Sequence, residues 1–401
     1  MERGYGEEDE MGISIGLVGL GSFGSVFADL FKQHPLVDRI ALCDREPERI
    51  AKFARKESFQ DKFHPRDGFA SLEEICRSDL DALAIFSQHW LHAPQCIQAM
   101  ESGKHVYSAV PLISIPSGDE TLEWCDNLIQ TCRKTGQFYM LGETTYYHAD
   151  AMFCRRQAAK GAFGDFIYSE GEYMHSFDSH ASDLRQVYKS RFASQAGQEW
   201  VEKLKRYRER GDTDSPMSYP THSMSGPMSV MKAHAVKVSA WGTPPRTKER
   251  YFEEMMMPYS NVTALFQMSN QSVMRICEHR ECAIIRETFR VYGTHGAYEN
   301  GVWFEKEKPV NLKEDEIRDP LPSEVYEAYR NALGESNVFG GHGGSHAYLV
   351  NEFVDAVVHS RMPVINAWEA VRYTAAGVMA HKSSMKDGES LSVPDWGDAP
   401  A

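Results

Sequence analysis

Three glycines near the start of the chain have the spacing of a loop that binds a dinucleotide, the cofactor class used for hydride transfer. Gly19, Gly21 and Gly24 follow a short apolar run and lead into a helical pattern over residues 25–32, and Ser22 and Phe23 between them are further candidates for cofactor binding. The first glycine allows a tight turn, the second lets the backbone approach a pyrophosphate, and the third lets helix and strand pack closely. The start of the helix offers free N–H groups to the phosphates. This spacing therefore predicts a dinucleotide site.

An acidic residue stands where such a site needs one. A second apolar run, residues 40–43, ends at Asp44, about the distance after the glycines at which a ribose-binding acid is expected. Its carboxylate would accept hydrogen bonds from the ribose hydroxyls and repel a 2′-phosphate, which favours NAD over NADP. Arg45 is adjacent to it and is itself a candidate for cofactor binding, so the preference stays open. The alternative, a glycine-rich turn that binds nothing, is disfavoured by this context.

The elements that must hold these residues alternate between strand and helix as far as residue 145. Such alternation predicts a doubly wound parallel sheet, and hence an NAD-binding Rossmann domain over residues 1–145. Beyond it, strand patterns such as 166–175 follow one another across short turns. They predict an α+β domain with an open, mostly antiparallel sheet over residues 146–401, for substrate binding and oligomerisation. The overall fold class is α/β.

A charged insertion is predicted around residues 176–218, and its segment 198–210 has a helical pattern. Lys189 and Arg191 are among its cations. Two interpretations stay open: a solvated surface insertion, or a lid that carries cations over the active site and binds an anionic sugar, because arginine binds oxyanions bidentately.

The bulk composition excludes several classes of partner. A formal net charge of −14 over 401 residues argues against nucleic acid and against an anionic membrane surface. No apolar run approaches the roughly 20 residues of a membrane helix, and the chain opens with acidic residues, which favours a cytoplasmic protein. The eight cysteines form no CxxC pair, and the sixteen histidines form no credible metal-binding pattern. We therefore expect free thiols and no metal.

Two segments, one at the end of the predicted strand near residues 81–86 and one shortly after it, carry a family resemblance. Residues 84–94 end a strand in a turn that contains Ser87 and His92, and residues 99–106 follow with Ala-Met-Glu-Ser-Gly-Lys-His-Val. The chain resembles the Gfo/Idh/MocA oxidoreductases, with Gln88 in place of a proline. The resemblance implies a Rossmann domain, a sheet domain that forms homodimers or homotetramers, and an active site between them. It places further residues at the cofactor: Ser87, Gln88, His89, His92 and Ser108.

One departure from that family concerns the catalytic base. Ala109-Val110-Pro111 stands where sugar dehydrogenases of the family carry Glu-Lys-Pro. Their lysine handles the proton of the hydroxyl that is oxidised, and valine cannot do so. Catalysis has therefore moved to other groups or has been lost.

Four motifs favour relocation. Residues 143–147, 171–175, 219–222 and 340–344 resemble, in the same order, one branch of the family, the NAD-dependent glycosidases similar to α-N-acetylgalactosaminidase. That branch also lacks the lysine and carries Glu-Val-Pro, whereas here Ala109 replaces the glutamate as well. The resemblance implies transient oxidation at C3 of the sugar, removal of the C2 proton, elimination of the anomeric group, addition of water and re-reduction.

The motifs supply the candidate site residues. Tyr219 and His222 are expected to handle protons, with assistance from Tyr147, provided that the pKa of the tyrosine falls well below about 10. Whether residues 219–222 form a helix turn or a loop is left open by Pro220. The expected substrate-binding residues are Glu143, Tyr173, His175, His342, Lys189 and Arg191. Two alternatives to a glycosidase are a sugar or cyclitol dehydrogenase that uses His222 in place of the lysine, and a cofactor-bound sensor.

Overall fold

The first half of the chain folds around a parallel sheet. The computed structural model describes residues 12–177, 184–248 and 250–400, so part of the predicted insertion, residues 178–183, lies outside the described residues. Within them, the first sheet has these strands: β1 (Ile13–Val18), β2 (Val37–Cys43), β3 (Gly68–Phe69), β4 (Ala82–Ile85), β5 (His105–Ala109) and β6 (Tyr139–Gly142). All pairings are parallel in the order β3-β2-β1-β4-β5-β6, which confirms the predicted Rossmann-type sheet.

Helices cover this sheet and begin where local signals predict. Their bounds are α1 (Ser22–Gln33), α2 (Pro47–Ala54), α3 (Leu72–Cys76), α4 (His92–Glu101) and α5 (Gly118–Thr135). At the start of α5, the hydroxyl of Ser117 accepts a hydrogen bond from the backbone N–H of Glu120, and at its end Gly136 adopts φ 70°. Both features satisfy backbone groups that a helix leaves unpaired at its termini.

The second half is built on a larger sheet that is mostly antiparallel, as predicted. Its strands are β7 (Phe166–His175), β8 (Ala235–Thr243), β9 (Asn261–Met268), β10 (Val273–His279), β11 (Ile285–Gly293), β12 (Gly296–Glu299), β13 (Val302–Glu305), β14 (Lys308–Asn311) and β15 (Leu391–Ser392). They lie in the order β14-β13-β12-β11-β7-β10-β9-β8-β15, and the pair β7–β10 is parallel. A turn at Asn300 and Gly301, both with positive φ, separates β12 from its antiparallel partner β13.

The remaining helices are α6 (Ala149–Ala159), α7 (Leu184–Ala193), α8 (Gln195–Arg210), α9 (Thr221–Met231), α10 (Arg250–Glu254), α11 (Glu314–Ile317), α12 (Ser323–Leu333), α13 (His346–Val358) and α14 (Ala367–Ser384). The described part of the insertion thus contains two helices, α7 and α8. Nearly every residue of α9 is buried, between β7 and β11 on one side and α6 on the other. The last helices return to the first sheet: the Phe353 ring lies 6.4 Å from Phe31, and α14 packs on α5.

The approach of α9 to the sheet depends on a missing side chain. A Cβ atom added at Gly171 of β7 would lie 1.7 Å from the carbonyl oxygen of Ser223, in the first turns of α9. The strand and the helix can therefore meet at this distance only with glycine.

Within the described residues, no helix has both the length and the apolar character that a membrane span requires.

We expect Gly171→Ala to lower the free energy of unfolding by about 2 kcal/mol or more, because overpacking of a core contact costs about 1–3 kcal/mol and here the neighbour is backbone. Urea denaturation followed by circular dichroism measures the change. Gly68→Ala is the matched control, because its Cβ would first meet the Ile50 side chain at 3.3 Å. Equal losses in the two variants would contradict this account of how α9 is placed.

Candidate active site

A carboxylate, an imidazole and a phenol are connected by hydrogen bonds where the two sheets meet. Glu143 directly follows β6, His222 lies in the first turn of α9, and Tyr219 precedes that helix. An oxygen of Glu143 lies 2.9 Å from Nδ1 of His222, and Nε2 of His222 lies 3.1 Å from the hydroxyl of Tyr219. Pro220 is the N-cap residue of α9, so the question that the sequence left open is answered: Tyr219 is in a turn and His222 is in a helix.

We call Glu143, His222 and Tyr219 the relay. Within it the His222 imidazole is positively charged and the Glu143 carboxylate is negatively charged. Burial alone would lower the pKa of His222, but Glu143 and Glu287 outweigh burial and raise it to about 9. Burial alone would raise the pKa of Glu143, but the His222 imidazolium outweighs it and lowers that pKa. His222 is therefore protonated at neutral pH, and its Nε2–H donates to the oxygen of Tyr219. Burial raises the pKa of Tyr219 well above its ordinary value, which is opposite to the lowered pKa that the sequence analysis requires of a base.

A second carboxylate, which the sequence analysis missed, also lies near His222. Glu287 of β11 lies 3.9 Å from Nδ1 of His222 and 3.8 Å from Nε2 of His148. It also accepts a hydrogen bond from the hydroxyl of Thr145, whose backbone N–H donates to Glu143 at 2.9 Å. Both carboxylates therefore lie near Nδ1 of the same imidazole. A signal was present: Glu287 is two residues before the buried Phe289, so a carboxylate occupies the apolar face of a strand.

The predicted pair on β7 lies beside the relay. The hydroxyl of Tyr173 lies 2.9 Å from Nδ1 of His175, and its ring centroid lies 5.0 Å from that of His222. The guanidinium of Arg280 lies 5.1 Å from the Tyr173 ring. Burial lowers the pKa of His175 to about 4, and Arg280 acts in the same direction. His175 is therefore uncharged at neutral pH.

The glycine-rich loop at residues 340–344 connects the cofactor helix to this site. Nδ1 of His342 lies 2.8 Å from Nε2 of His346, and the His342 ring meets the edge of Phe23 at 5.8 Å. A Cβ added at Gly343 would lie 3.1 Å from His148. The loop thus fills the space between α1 and the relay, with His342 exposed.

The structure does not bring Tyr147 into the relay. Its ring stacks on Tyr348 at 5.9 Å and packs against Tyr146 at 5.0 Å. Burial raises its pKa well above the ordinary value. In the described part of the chain no hydrogen bond connects Tyr147 with Tyr219 or His222, so its assisting role stays a prediction.

The glycine loop has the shape that a dinucleotide requires. A Cβ at Gly24 would lie 2.0 Å from the carbonyl oxygen of Gly19, and Gly19 has φ 90°. A Cβ at Gly21 would meet its nearest atom, on Arg49, at 3.8 Å, so it would extend into open space where a phosphate approaches. Gly21 is the N-cap of α1 and supplies no side chain to the first-turn N–H groups. These residues fit a pyrophosphate.

A cleft of about 380 Å³ extends from this loop. Five predicted cofactor residues besides Gly19 line it: Gly21, Asp44, Arg45, Ser87 and Gln88. The Asp44 carboxylate accepts the backbone N–H groups of Leu20 at 2.8 Å and Glu46 at 2.9 Å, which fixes it at the end of β2.

The start of helix α8 forms the outer wall of the same cleft. Ser194, Gln195 and Ala196 line it together with Gly19 and Gly21 of the glycine loop. Two contacts attach α8 there: Glu199 pairs with Arg45 at 2.9 Å, and the Trp200 and Trp90 rings stack at 4.8 Å. The insertion therefore contributes directly to the cofactor cleft, which the sequence analysis did not predict.

Other predicted cofactor residues have different surroundings. His92 is buried, with Nδ1 2.7 Å from the carbonyl oxygen of Pro111 and Nε2 3.1 Å from that of Ser87, so it connects two loops. Ser108 is buried and donates to the carbonyl of Ala109. His89 lies outside the cleft, with its ring 6.0 Å from Tyr219.

The two predicted cations of the insertion, Lys189 and Arg191, have different surroundings. Arg191 lies 3.4 Å from Nδ1 of His89, close to Tyr219. Lys189 is exposed and lines neither the cofactor cleft nor the smaller cavity beside Tyr219. Buried Arg280 and its partner Glu278, 3.0 Å apart, were also missed by the sequence analysis.

Comparison with known proteins agrees with this geometry. Residues 13–143 match the NAD-binding Rossmann fold of the Gfo/Idh/MocA oxidoreductase family, and residues 147–399 match the C-terminal domain of glycosyl hydrolase 109. The chain belongs to glycosyl hydrolase family 109. It is therefore a glycosidase built on an oxidoreductase domain, which confirms the resemblance identified from the motifs.

Relatives carry the same family name, and solved structures share the fold. A glycosyl hydrolase family 109 protein of Streptomyces niveus is 24% identical over 403 residues, covering 96% of this chain and 77% of the relative. An alpha-N-acetylgalactosaminidase of Bacteroides fragilis is 27% identical over 226 residues, 55% of this chain and 49% of the relative. The aldose-aldose oxidoreductase of Caulobacter crescentus shares the fold, with a TM-score of 0.68, 14% identity and coverage of 95% and 100%. So does the scyllo-inositol dehydrogenase of Lactobacillus casei with bound NAD(H), with a TM-score of 0.62, 15% identity and coverage of 95% and 99%.

We expect Glu143→Gln to lower the pKa of His222 from about 9 to near or below its ordinary 6.5, because burial then meets less opposition. The pKa is measured by NMR titration of the imidazole C–H signals. Glu287→Gln is the control and should lower it less, since that carboxylate is 3.9 Å away and not 2.9 Å.

The same shift has a consequence for stability. Because the folded pKa is raised, His222 contributes stability that is complete below about pH 6.5 and is lost as pH rises through about 9. Glu143→Gln should flatten this dependence. An unchanged titration of His222 would contradict the assignment of the ion pair.

Proposed function

We propose that this enzyme hydrolyses small-molecule glycosides through a redox-neutral cycle at the Glu143–His222–Tyr219 relay. Bound NAD would accept a hydride from C3 of the sugar and later return it. The C3 ketone formed in between acidifies the C2 proton, so that a protein base can remove it and the anomeric group can leave as the C1–C2 double bond forms. Water then adds at C1, a proton returns to C2, and the net reaction is hydrolysis.

The observation that carries this proposal is the hydrogen bond between Tyr219 and a protonated imidazole. A phenol becomes a base at neutral pH only when its anion is stabilised. In this proposal the charge-assisted hydrogen bond from His222 supplies that stabilisation and has to outweigh burial, which raises the pKa of Tyr219. Glu143 keeps His222 charged and fixes its Nδ1, so that Nε2–H points at Tyr219. Tyr219 therefore takes the C2 proton, and Glu143 acts as a positioning residue. The family lysine handles a different proton, that of the C3 hydroxyl, so its replacement by buried Val110 means that another protein base has to accept this proton when C3 is oxidised and return it when C3 is reduced.

Retention of the cofactor supports the same cycle. Hydride removed at C3 must return to the same sugar, so the cleft has to hold the cofactor from the first step to the last. We assign this purpose to the wall contributed by Ser194, Gln195 and Ala196, because these residues line the same cleft as the glycine loop. Trp200, which is 2% exposed and stacked on Trp90, holds that wall in place.

We expect Tyr219→Phe to reduce hydrolysis of aryl glycosides about a hundredfold or more, since proton transfer by a positioned side chain contributes about 10²–10⁴ in rate. Phenol release and the absorbance of NADH are followed together, with α and β anomers in the panel. The unaltered enzyme should release phenol without accumulating NADH. NADH formed in proportion to free sugar, without phenol release, would show instead a dehydrogenase.

We expect Trp200→Ala to release bound NADH about tenfold faster, since an aromatic pair contributes about 0.5–1.5 kcal/mol beyond its buried area. The rate is measured from the fall in NADH fluorescence after a chase with excess NAD. Trp396→Ala is the control, because the Trp396 indole N–H donates a hydrogen bond to Asp126 of α5 and neither residue lines the cleft. An unchanged release rate in a folded Trp200→Ala protein would exclude α8 as the retaining wall.

A further inference from the structure

A second cavity, smaller than the cofactor cleft at about 70 Å³, is lined in part by Tyr219. Its walls come from the loop that contains His89 and Trp90, from the insertion, and from the turn before α9. Its size suits one substituent of a sugar rather than a second sugar ring. The lining residues that bear on its chemistry are His89, Arg191, Asp214, Tyr219 and Arg280.

Arg191 brings an uncompensated positive charge to this cavity. Its nearest polar contact is Nδ1 of His89 at 3.4 Å, and its guanidinium lies 6.0 Å from the Tyr188 ring. Burial lowers the pKa of His89 well below its ordinary value, so this partner is neutral and accepts a hydrogen bond. Among the residues that the structure describes, no carboxylate pairs with Arg191. Most of its five N–H donors are therefore available to a ligand.

The other charged groups of the cavity are already engaged. Arg280 is buried and pairs with Glu278 at 3.0 Å. The carboxylate of Asp214 accepts the backbone N–H of Ser215 at 2.8 Å and the hydroxyl of Ser218 at 2.6 Å. One oxygen of Asp214, Oδ1, is thus held by its own loop. Among the described residues that line the cavity, Arg191 is the cation without a carboxylate partner.

We propose that this cavity binds an anionic substituent of the glycoside, a carboxylate, sulfate or sulfonate, and that Arg191 is the residue that selects it. A planar guanidinium binds an oxyanion through two parallel N–H···O bonds, which neutral hydroxyls cannot match. Because Tyr219 is shared by the cavity wall and the relay, a substituent held there belongs to a sugar whose ring is beside the proton acceptor. This inference rests on the proposed glycosidase function and names its substrate class.

Binding of simple sugar acids to the cofactor-loaded protein tests the proposal without turnover. Isothermal titration calorimetry compares D-glucuronate, D-galacturonate and D-glucose 6-sulfate with neutral D-glucose and D-galactose. We expect at least one charged probe to bind about tenfold or more tightly than its neutral counterpart. The carboxylate and sulfate arms then show which oxyanion the cavity prefers. Equal or undetectable binding of charged and neutral probes would overturn the proposal.

Variants assign the effect to one side chain. Arg191→Ala should abolish the preference for charged probes, and Arg191→Lys should restore part of it, since an ammonium keeps the charge but loses the bidentate geometry. Lys203→Ala is the matched control: it removes a cation from an exposed position of α8, outside the cavity. A preference that survives in Arg191→Ala would overturn the assignment.

Kinetics separate this inference from the proposed function. With aryl glucuronides and aryl glucosides as substrates, Arg191→Ala should raise KM for the charged substrate and leave kcat within about threefold. Charged probes that bind through Arg191, without phenol release from any glycoside, would uphold the anion site and contradict the glycosidase cycle. Hydrolysis of neutral and charged glycosides with equal KM would do the reverse.

Discussion

The buried ion pair between Glu143 and His222 is the interaction on which the rest of the site depends. Neither group would stay charged alone at this depth, because burial disfavours the ionised form of each. Together they place one fixed positive charge 3.1 Å from the oxygen of Tyr219. The pair also joins the two domains, since Glu143 follows β6 of the Rossmann sheet and His222 lies in the first turn of α9 in the second domain. The two domains therefore build the site jointly.

The position of α9 explains why the pair can form. Small residues bring this helix against the second sheet: Gly171 accommodates the Ser223 carbonyl, and Gly226 faces the Phe289 ring. On the opposite side, Gly377 of α14 accommodates the carbonyl of Met217. Because α14 also packs on the Rossmann helix α5, His222 is held in a fixed relation to Glu143. Backbone packing over a large distance thus determines a contact of 2.9 Å.

The sequence predicts the parts of this site that depend on local pattern. The glycine loop, Asp44 at the end of a strand, and β7 with Tyr173 and His175 on one face follow from spacing alone. The length of α9 does not, because its serines, glycine and proline are poor helix formers, and burial on all sides overrides their propensity. Glu287 is near His222 because its strand β11 pairs with β7 so that Glu287 is opposite Tyr173. Register of this kind is a tertiary property.

The insertion connects cofactor and substrate through one rigid element. Helix α7 brings Arg191 to the small cavity, and the first residues of α8 close the dinucleotide cleft. Ser194, between the helices, hydrogen-bonds the backbone N–H of Gly197, and Glu120 holds the far end of α8 through Tyr207 and Arg210. Because Trp200 is shared by the cavity wall and the stack on Trp90, moving α8 disturbs both sites together. We therefore expect a substrate that fills the cavity beside Arg191 to stabilise the wall beside the cofactor as well, which would suit a cycle with two hydride transfers.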